Sequence, residues 1–193
     1  MRRWLVLAAL LLARPALAGP QDPWTVDPRS SSITFGATQV GSIVSGRFPA
    51  WTAGIVLDPG SLAAARIDIR IRMSEASTNN RDVDSLMKGP NFLDVQKFPE
   101  ARFVATSVVA KGGGRYEAQG KLTLRDVTRD AVLPFSLAIA DEPSQPGTLR
   151  ATARGRIVLK RLDYGVGRNE WAGTGQVADE VTVDITVVAG RPR

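Results

Sequence analysis

The 193 residues include no histidine and no cysteine, which removes Ser-His-Asp and Cys-His nucleophiles, the usual zinc ligand sets, disulfides and redox cofactors anchored on Cys or His. Lys and Arg outnumber Asp and Glu by 25 to 19, but the basic residues are scattered and not gathered into a stripe with aromatics. A nucleic-acid face is therefore not expected.

The chain opens with Arg2 and Arg3, an apolar run from Trp4 to Ala13, and the small-residue triplet Ala16-Leu17-Ala18. A positive head, a short apolar stretch and an A-x-A site read as a secretory signal peptide over residues 1–18, cut before Gly19. The run is half the roughly 20 residues that span a bilayer, so an exported, soluble protein is expected. Without Arg2, Arg3 and Arg14 the basic count falls from 25 to 22 against 19 acidic residues, net +3. Residues 19–193 are enough for one domain with a substantial core.

Beyond that point apolar and polar residues alternate with period two, most plainly in Arg66-Ile67-Asp68-Ile69-Arg70-Ile71-Arg72-Met73. Such alternation buries one strand face and wets the other. Strands are expected near 31–38, 42–48, 51–58, 65–73, 101–110, 115–125, 130–140, 148–160 and 179–189. Inward positions in chain order are Ile33, Phe35, Ile55, Leu57, Ile67, Ile69, Ile71, Phe103, Ala105, Val109, Ala118, Leu122, Leu124, Leu133, Phe135, Leu137 and Ile139. Ile157, Leu159, Val181, Val183, Ile185 and Val187 complete the set. One helix interrupts the series: Asn80 or Asp82 caps it, Val83, Leu86 and Met87 share its apolar face over one end of the shell, and Gly89-Pro90 stops it. Lys111-Gly112-Gly113-Gly114-Arg115 and the segment 141–147 read as hairpin connections. The class is all-β, a sandwich or a closed up-and-down barrel.

The remaining chemistry is thin. Asp82 with Asp84, or Asp179 with Glu180, could in principle form an acid pair, but helix capping and strand entry account for them better. Arg81 with Asp82 reads as a capping and salt-bridge unit. Gly165-Val166-Gly167 lacks the strand-turn-helix setting of a nucleotide loop and reads as a strand bend. No enzyme is expected.

Several segments taken together are familiar. Trp24-Thr25-Val26-Asp27-Pro28, then Ser31, Ile33, Phe35 and Gly46-Arg47-Phe48, resemble the opening of the YceI-like family of bacterial periplasmic proteins. Arg81-Asp82, Leu86, Asn91-Phe92-Leu93-Asp94, Lys97-Phe98-Pro99, Arg102-Phe103 and Gly120–Arg129 continue the likeness. Leu162-Asp163-Tyr164-Gly165-Val166-Gly167 and Asp179-Glu180-Val181 close it. Ser30 and Gln39 stand where many members carry His. The resemblance implies an extended eight-stranded antiparallel lipocalin-like barrel whose apolar tunnel holds an isoprenoid or similar long-chain lipid, with no cofactor and no metal. The ligand wall is then expected from Ile33, Phe35, Phe48, Ile67, Ile69, Ile71, Phe92, Phe98, Phe103, Leu122, Leu124 and Phe135, with Trp171 and Tyr116 at a rim. Whether two barrels pair as a homodimer, and whether a membrane protein donates or accepts the lipid, stay open. The alternative is an accessory or stress-related barrel filled by its own side chains, acting through its surface beside a membrane redox protein.

Overall fold

The structure, a computed structural model, describes residues 23–193; the expected signal peptide over residues 1–18 lies outside the described residues. Ten strand segments form one antiparallel sheet: β1 (Thr25–Val26), β2 (Ser32–Gln39), β3 (Ser42–Arg47), β4 (Trp51–Val56), β5 (Arg66–Arg72), β6 (Glu100–Gly112), β7 (Arg115–Leu124), β8 (Val127–Asp141), β9 (Thr148–Lys160) and β10 (Val177–Pro192). Among the described residues one α-helix, α1 (Arg81–Lys88), lies between β5 and β6. The order around the sheet is β3-β2-β10-β9-β8-β7-β6-β5-β4, with β1 on β10.

This order closes on itself once two interruptions are recognised. β1 and β2 lie on the same edge of β10, at Ala189–Gly190 and at Val177–Thr186. β3 pairs with β2, and after Pro49 the chain continues as β4 against β5. Trp24 N donates to Ile55 O at 2.8 Å, so β1 touches β4 as β2 touches β3. β1–β2 and β3–β4 are thus two bent strands, and eight strand positions run round an up-and-down barrel. Where β3 leaves β4's line, residues 73–98 cover the gap, held by reciprocal backbone bonds between Arg47 and Ser77.

The alternation behaves as simple sterics requires. On β5, Ile67 and Ile69 are buried while Arg66 and Arg70 face water. The outer charges pair across neighbouring strands: Arg102 grips Asp68 with two bonds of 2.8 and 2.6 Å, Lys121 meets Asp130 at 2.8 Å and Arg156 meets Asp184 at 2.6 Å. Exposed pairs like these contribute little stability each, but they fix which face is outside.

Three expectations are corrected. Val109 is 38% exposed and Val108 is buried in its place, because a bulge between Ala105 and Ser107 shifts the register of β6 on β7 and flips the phase of alternation. At the helix, Asn80 is the cap, its side chain accepting from Asp82 N and Val83 N. Arg81 and Asp82 form no ion pair among the described residues; Asp84 is the anchoring acid, accepting from Ser77 Oγ, Thr78 N and Thr78 Oγ1 at 2.7–3.0 Å. Gly165-Val166-Gly167 is not a strand bend. It follows a one-turn 3-10 helix, Arg161–Tyr164, with φ of 64° at Gly165 and 92° at Gly167, a backbone region that glycine enters without strain.

Candidate functional site

The interior divides into two halves along the barrel axis. Near the β6–β7 and β8–β9 hairpins it is solid. Alanines at inward positions (Ala65, Ala105, Ala118, Ala131, Ala151 and Ala189) let opposite walls approach, and Ile67, Val108, Phe135 and Val187 fill the space. Trp24 closes this end, its Nε1 donating to Leu57 O at 2.8 Å and its ring lying under the Arg191 guanidinium, 4.5 Å from the ring centroid.

Toward the other end the inward residues do not meet. They surround a cavity of about 230 Å³. Its wall comes from successive inward positions of every long strand: Ile33, Phe35 and Ala37 on β2, Ile69 and Ile71 on β5, Ala101 and Phe103 on β6, and Leu122 and Leu124 on β7. Leu133 on β8, Ile157 and Leu159 on β9, and Val181, Val183 and Ile185 on β10 add to it. Val83, Leu86 and Met87 of α1 and Phe92 and Leu93 of the following loop roof it. Gln39, Thr78, Arg161 and Tyr164 are the polar residues on an otherwise aliphatic and aromatic lining.

Of the expected ligand wall, Ile33, Phe35, Phe48, Ile69, Ile71, Phe92, Phe103, Leu122 and Leu124 line this cavity. Four do not. Ile67 and Phe135 belong to the solid half, where Phe135 stacks on Tyr116 with centroids 5.5 Å apart; Tyr116 is therefore at the end away from the cavity. Phe98 lies beneath the Arg125 guanidinium, and Trp171 packs behind Phe92 at 5.3 Å. Two neighbours shape the wall further. Phe35 and Phe48 pack at 4.9 Å, and a Cβ at Gly46 would collide with the Phe35 ring, so only glycine lets that ring lie against β3.

Two buried arginines hold the roof. Arg161 is buried beside the cavity, and all five of its N–H groups donate to backbone carbonyls: Nε to Ala178, Nη1 to Val166 and Trp171, Nη2 to Gly173 and Val177, at 2.7–3.0 Å. Burial lowers its proton affinity and Asp179 opposes that shift, but a guanidinium stays charged in proteins. With its donors committed, Arg161 has none left for a guest and serves to tie the 161–177 connection to the barrel. Gly167 makes room for it, since a Cβ there would collide with Nη1. Arg125, with φ of 56°, donates to the carbonyls of Pro90 and Phe92 and fixes the loop before β6.

The helix is the loosest part of the roof. None of its residues is buried, and Leu86 is 38% exposed although it borders the cavity. The mouth therefore lies between α1 and the β2–β3 hairpin, where Gln39 and Val44 line the same hollow. Burial would raise the pKa of Asp84, but hydrogen bonds from Thr78 and Ser77 outweigh it and hold the carboxyl below its usual range, so α1 is moored by an ionised group at neutral pH. Leu86→Asp should cost about 1 kcal/mol or less by chemical denaturation, a surface-type effect. A loss of 3 kcal/mol would mean that the helix is packed as core. A second hollow of about 660 Å³ follows the seam between the two bent strands; half of its border is exposed and much of it polar, including Thr25, Ser32, Thr34 and Arg47.

Fold and cavity define the class: a single antiparallel up-and-down barrel, solid at one end and apolar and hollow at the other. The chain belongs to the YceI-like family, matching the YceI-like domain over residues 24–189. A UPF0312 protein of Pseudomonas syringae pv. tomato is 29% identical, the match covering 93% of this chain and 94% of that one. Among solved structures, Burkholderia cenocepacia BcnA superposes with a TM-score of 0.77 at 26% identity, over 85% of this chain and 99% of its own. A Saccharophagus degradans domain described as polyisoprenoid-binding superposes with a TM-score of 0.62 at 14% identity, over 88% of this chain and 98% of that domain; that likeness is one of fold.

Proposed function

We propose that the protein is a periplasmic binding or carrier protein, not an enzyme, whose hollow half holds an isoprenoid or similarly long apolar lipid. The observation that carries this reading is the void itself. Inward residues such as Ile157, Leu159, Val183 and Ile185 are only half-buried although they point into the barrel, because no partner side chain faces them. Apolar surface left without a partner is what a greasy guest covers, at about 25 cal/mol per Å² removed from water, less the cost of ordering the chain. A hollow of this size takes part of a long chain. α1 is the cover that yields for the rest. The S. degradans domain, with its described polyisoprenoid binding, supports the same ligand class on the same fold. A membrane protein as donor or acceptor is compatible with a mouth at one end of the barrel.

Export follows from the signal segment: N-terminal sequencing of periplasmic material should begin at Gly19. The ligand claim is tested by extraction and mass spectrometry of lipid bound per protein. Ile69, buried on the cavity wall, and Arg70, paired outside with Glu100 at 3.3 Å, are neighbours on opposite faces. Ile69→Asn should lower retained lipid severalfold in folded protein, since an unpaired amide in an apolar wall costs roughly 1–3 kcal/mol. Arg70→Ala should leave it unchanged. Equal retention in both variants, or no lipid in the parent, would sink the carrier reading.

A further inference from the structure

The tip of the β2–β3 hairpin stands out beside the mouth. Val40 and Ile43 are each 76% exposed, the two most exposed large apolar side chains among the described residues. Val132 and Val158, at 47% and 53%, stand singly on the outer wall, whereas Val40 and Ile43 share one turn. That turn is also unfavourable by its own chemistry. Val40 and Gly41 have φ of 47° and 76°, the pair of positive values that a two-residue type I′ turn demands, and Asn-Gly is the sequence that suits it. A β-branched residue at positive φ is an outlier. The chain thus places an apolar side chain where both water and backbone disfavour it.

The surroundings indicate what would compensate. Gln39 and Val44, on either side of this turn, line the cavity, and α1 with its half-exposed Leu86 borders the same opening. Val40 N donates to Gln176 O at 2.9 Å, which braces the tip against the β9–β10 connection. α1 carries Arg81 and Lys88 against Asp82 and Asp84 and so adds no net charge to the opening, with Asp84 turned onto Ser77 and Thr78. A rim that is apolar at its tip and without net charge on the helix beside it matches the surface of a lipid leaflet, where apolar side chains enter the acyl boundary.

We infer that the open end docks on a bilayer leaflet, with Val40 and Ile43 inserted, so that a lipid passes between leaflet and cavity without crossing water. This rests on the carrier reading and adds to it a surface and a partner. The test is co-sedimentation of the exported protein with sucrose-loaded vesicles of phosphatidylethanolamine and phosphatidylglycerol, 3:1. Val40→Asn combined with Ile43→Thr should weaken vesicle binding about tenfold, as expected for losing two inserted side chains. Its melting temperature should stay equal or rise, because Asn suits the turn. Val132→Thr with Val158→Thr, on the outer wall, should bind vesicles like the parent. Equal sedimentation of the tip variant and the parent would overturn the inference. So would a parent that does not sediment, or a parent dimer in analytical ultracentrifugation that the tip variant abolishes, since a second copy would then cover the patch. Lipid content of the parent, measured separately, decides the carrier reading, so the two can fail independently.

Discussion

Arg161→Met should destabilise the protein by about 3–5 kcal/mol, the range expected when a buried charged donor is removed from committed partners. The side chain supplies five hydrogen bonds to Val166, Trp171, Gly173, Val177 and Ala178. Methionine fills much of the same volume but takes these donors from the buried carbonyls of Val166 and Val177 and from the part-buried ones of Trp171, Gly173 and Ala178. For a domain of this size the loss should lower the melting temperature by roughly 10 °C. Arg129 provides the comparison. Its Nε also donates to a backbone carbonyl, that of Asp163, but at the surface, so Arg129→Met should change stability by less than about 1 kcal/mol. A similar, small change in both variants would show that the 161–177 connection holds itself without Arg161.

Val183→Trp should abolish most lipid binding while leaving the fold intact. Val183 sits on β10 between Phe35 and Ile157 in register, half-buried and facing the void. In a packed core the added bulk would force strain of roughly 1–3 kcal/mol. Here the indole enters empty space, so stability should stay within about 1 kcal/mol of the parent while retained lipid falls at least tenfold. Val108→Trp, buried in the solid half, should instead show the overpacking penalty. A severe loss of stability in Val183→Trp would mean that the cavity closes in solution.

Much of this architecture is legible in the sequence, because strand alternation is a local property. All nine expected strands are present within a few residues, and the helix stands where its cap, apolar face and Gly89-Pro90 stop place it. What escaped depends on partners. β1 has two residues, too few to alternate, and exists because Trp24 reaches across to Ile55 and Leu57. Val108 replaces Val109 because of how β6 registers on β7, which neither strand states alone. Alternation says which residues point inward, not at which height they meet, so Ile67 and Phe135 read as ligand wall yet lie in the solid half. The inward alanines carry the missing signal, since small side chains mark where barrel walls close together. Arg161 was unreadable for a related reason: an arginine at a strand end ordinarily points to water, and only the returning 165–177 connection buries it.

The carrier reading requires the hollow half to be a lipid site and not an empty flaw in packing. Native mass spectrometry of the protein isolated from its own host addresses that directly. A lipid site predicts a folded species carrying one discrete apolar adduct, released by organic solvent and absent from Val183→Trp. Parent protein at its bare polypeptide mass, from cells with normal lipid content, would contradict it.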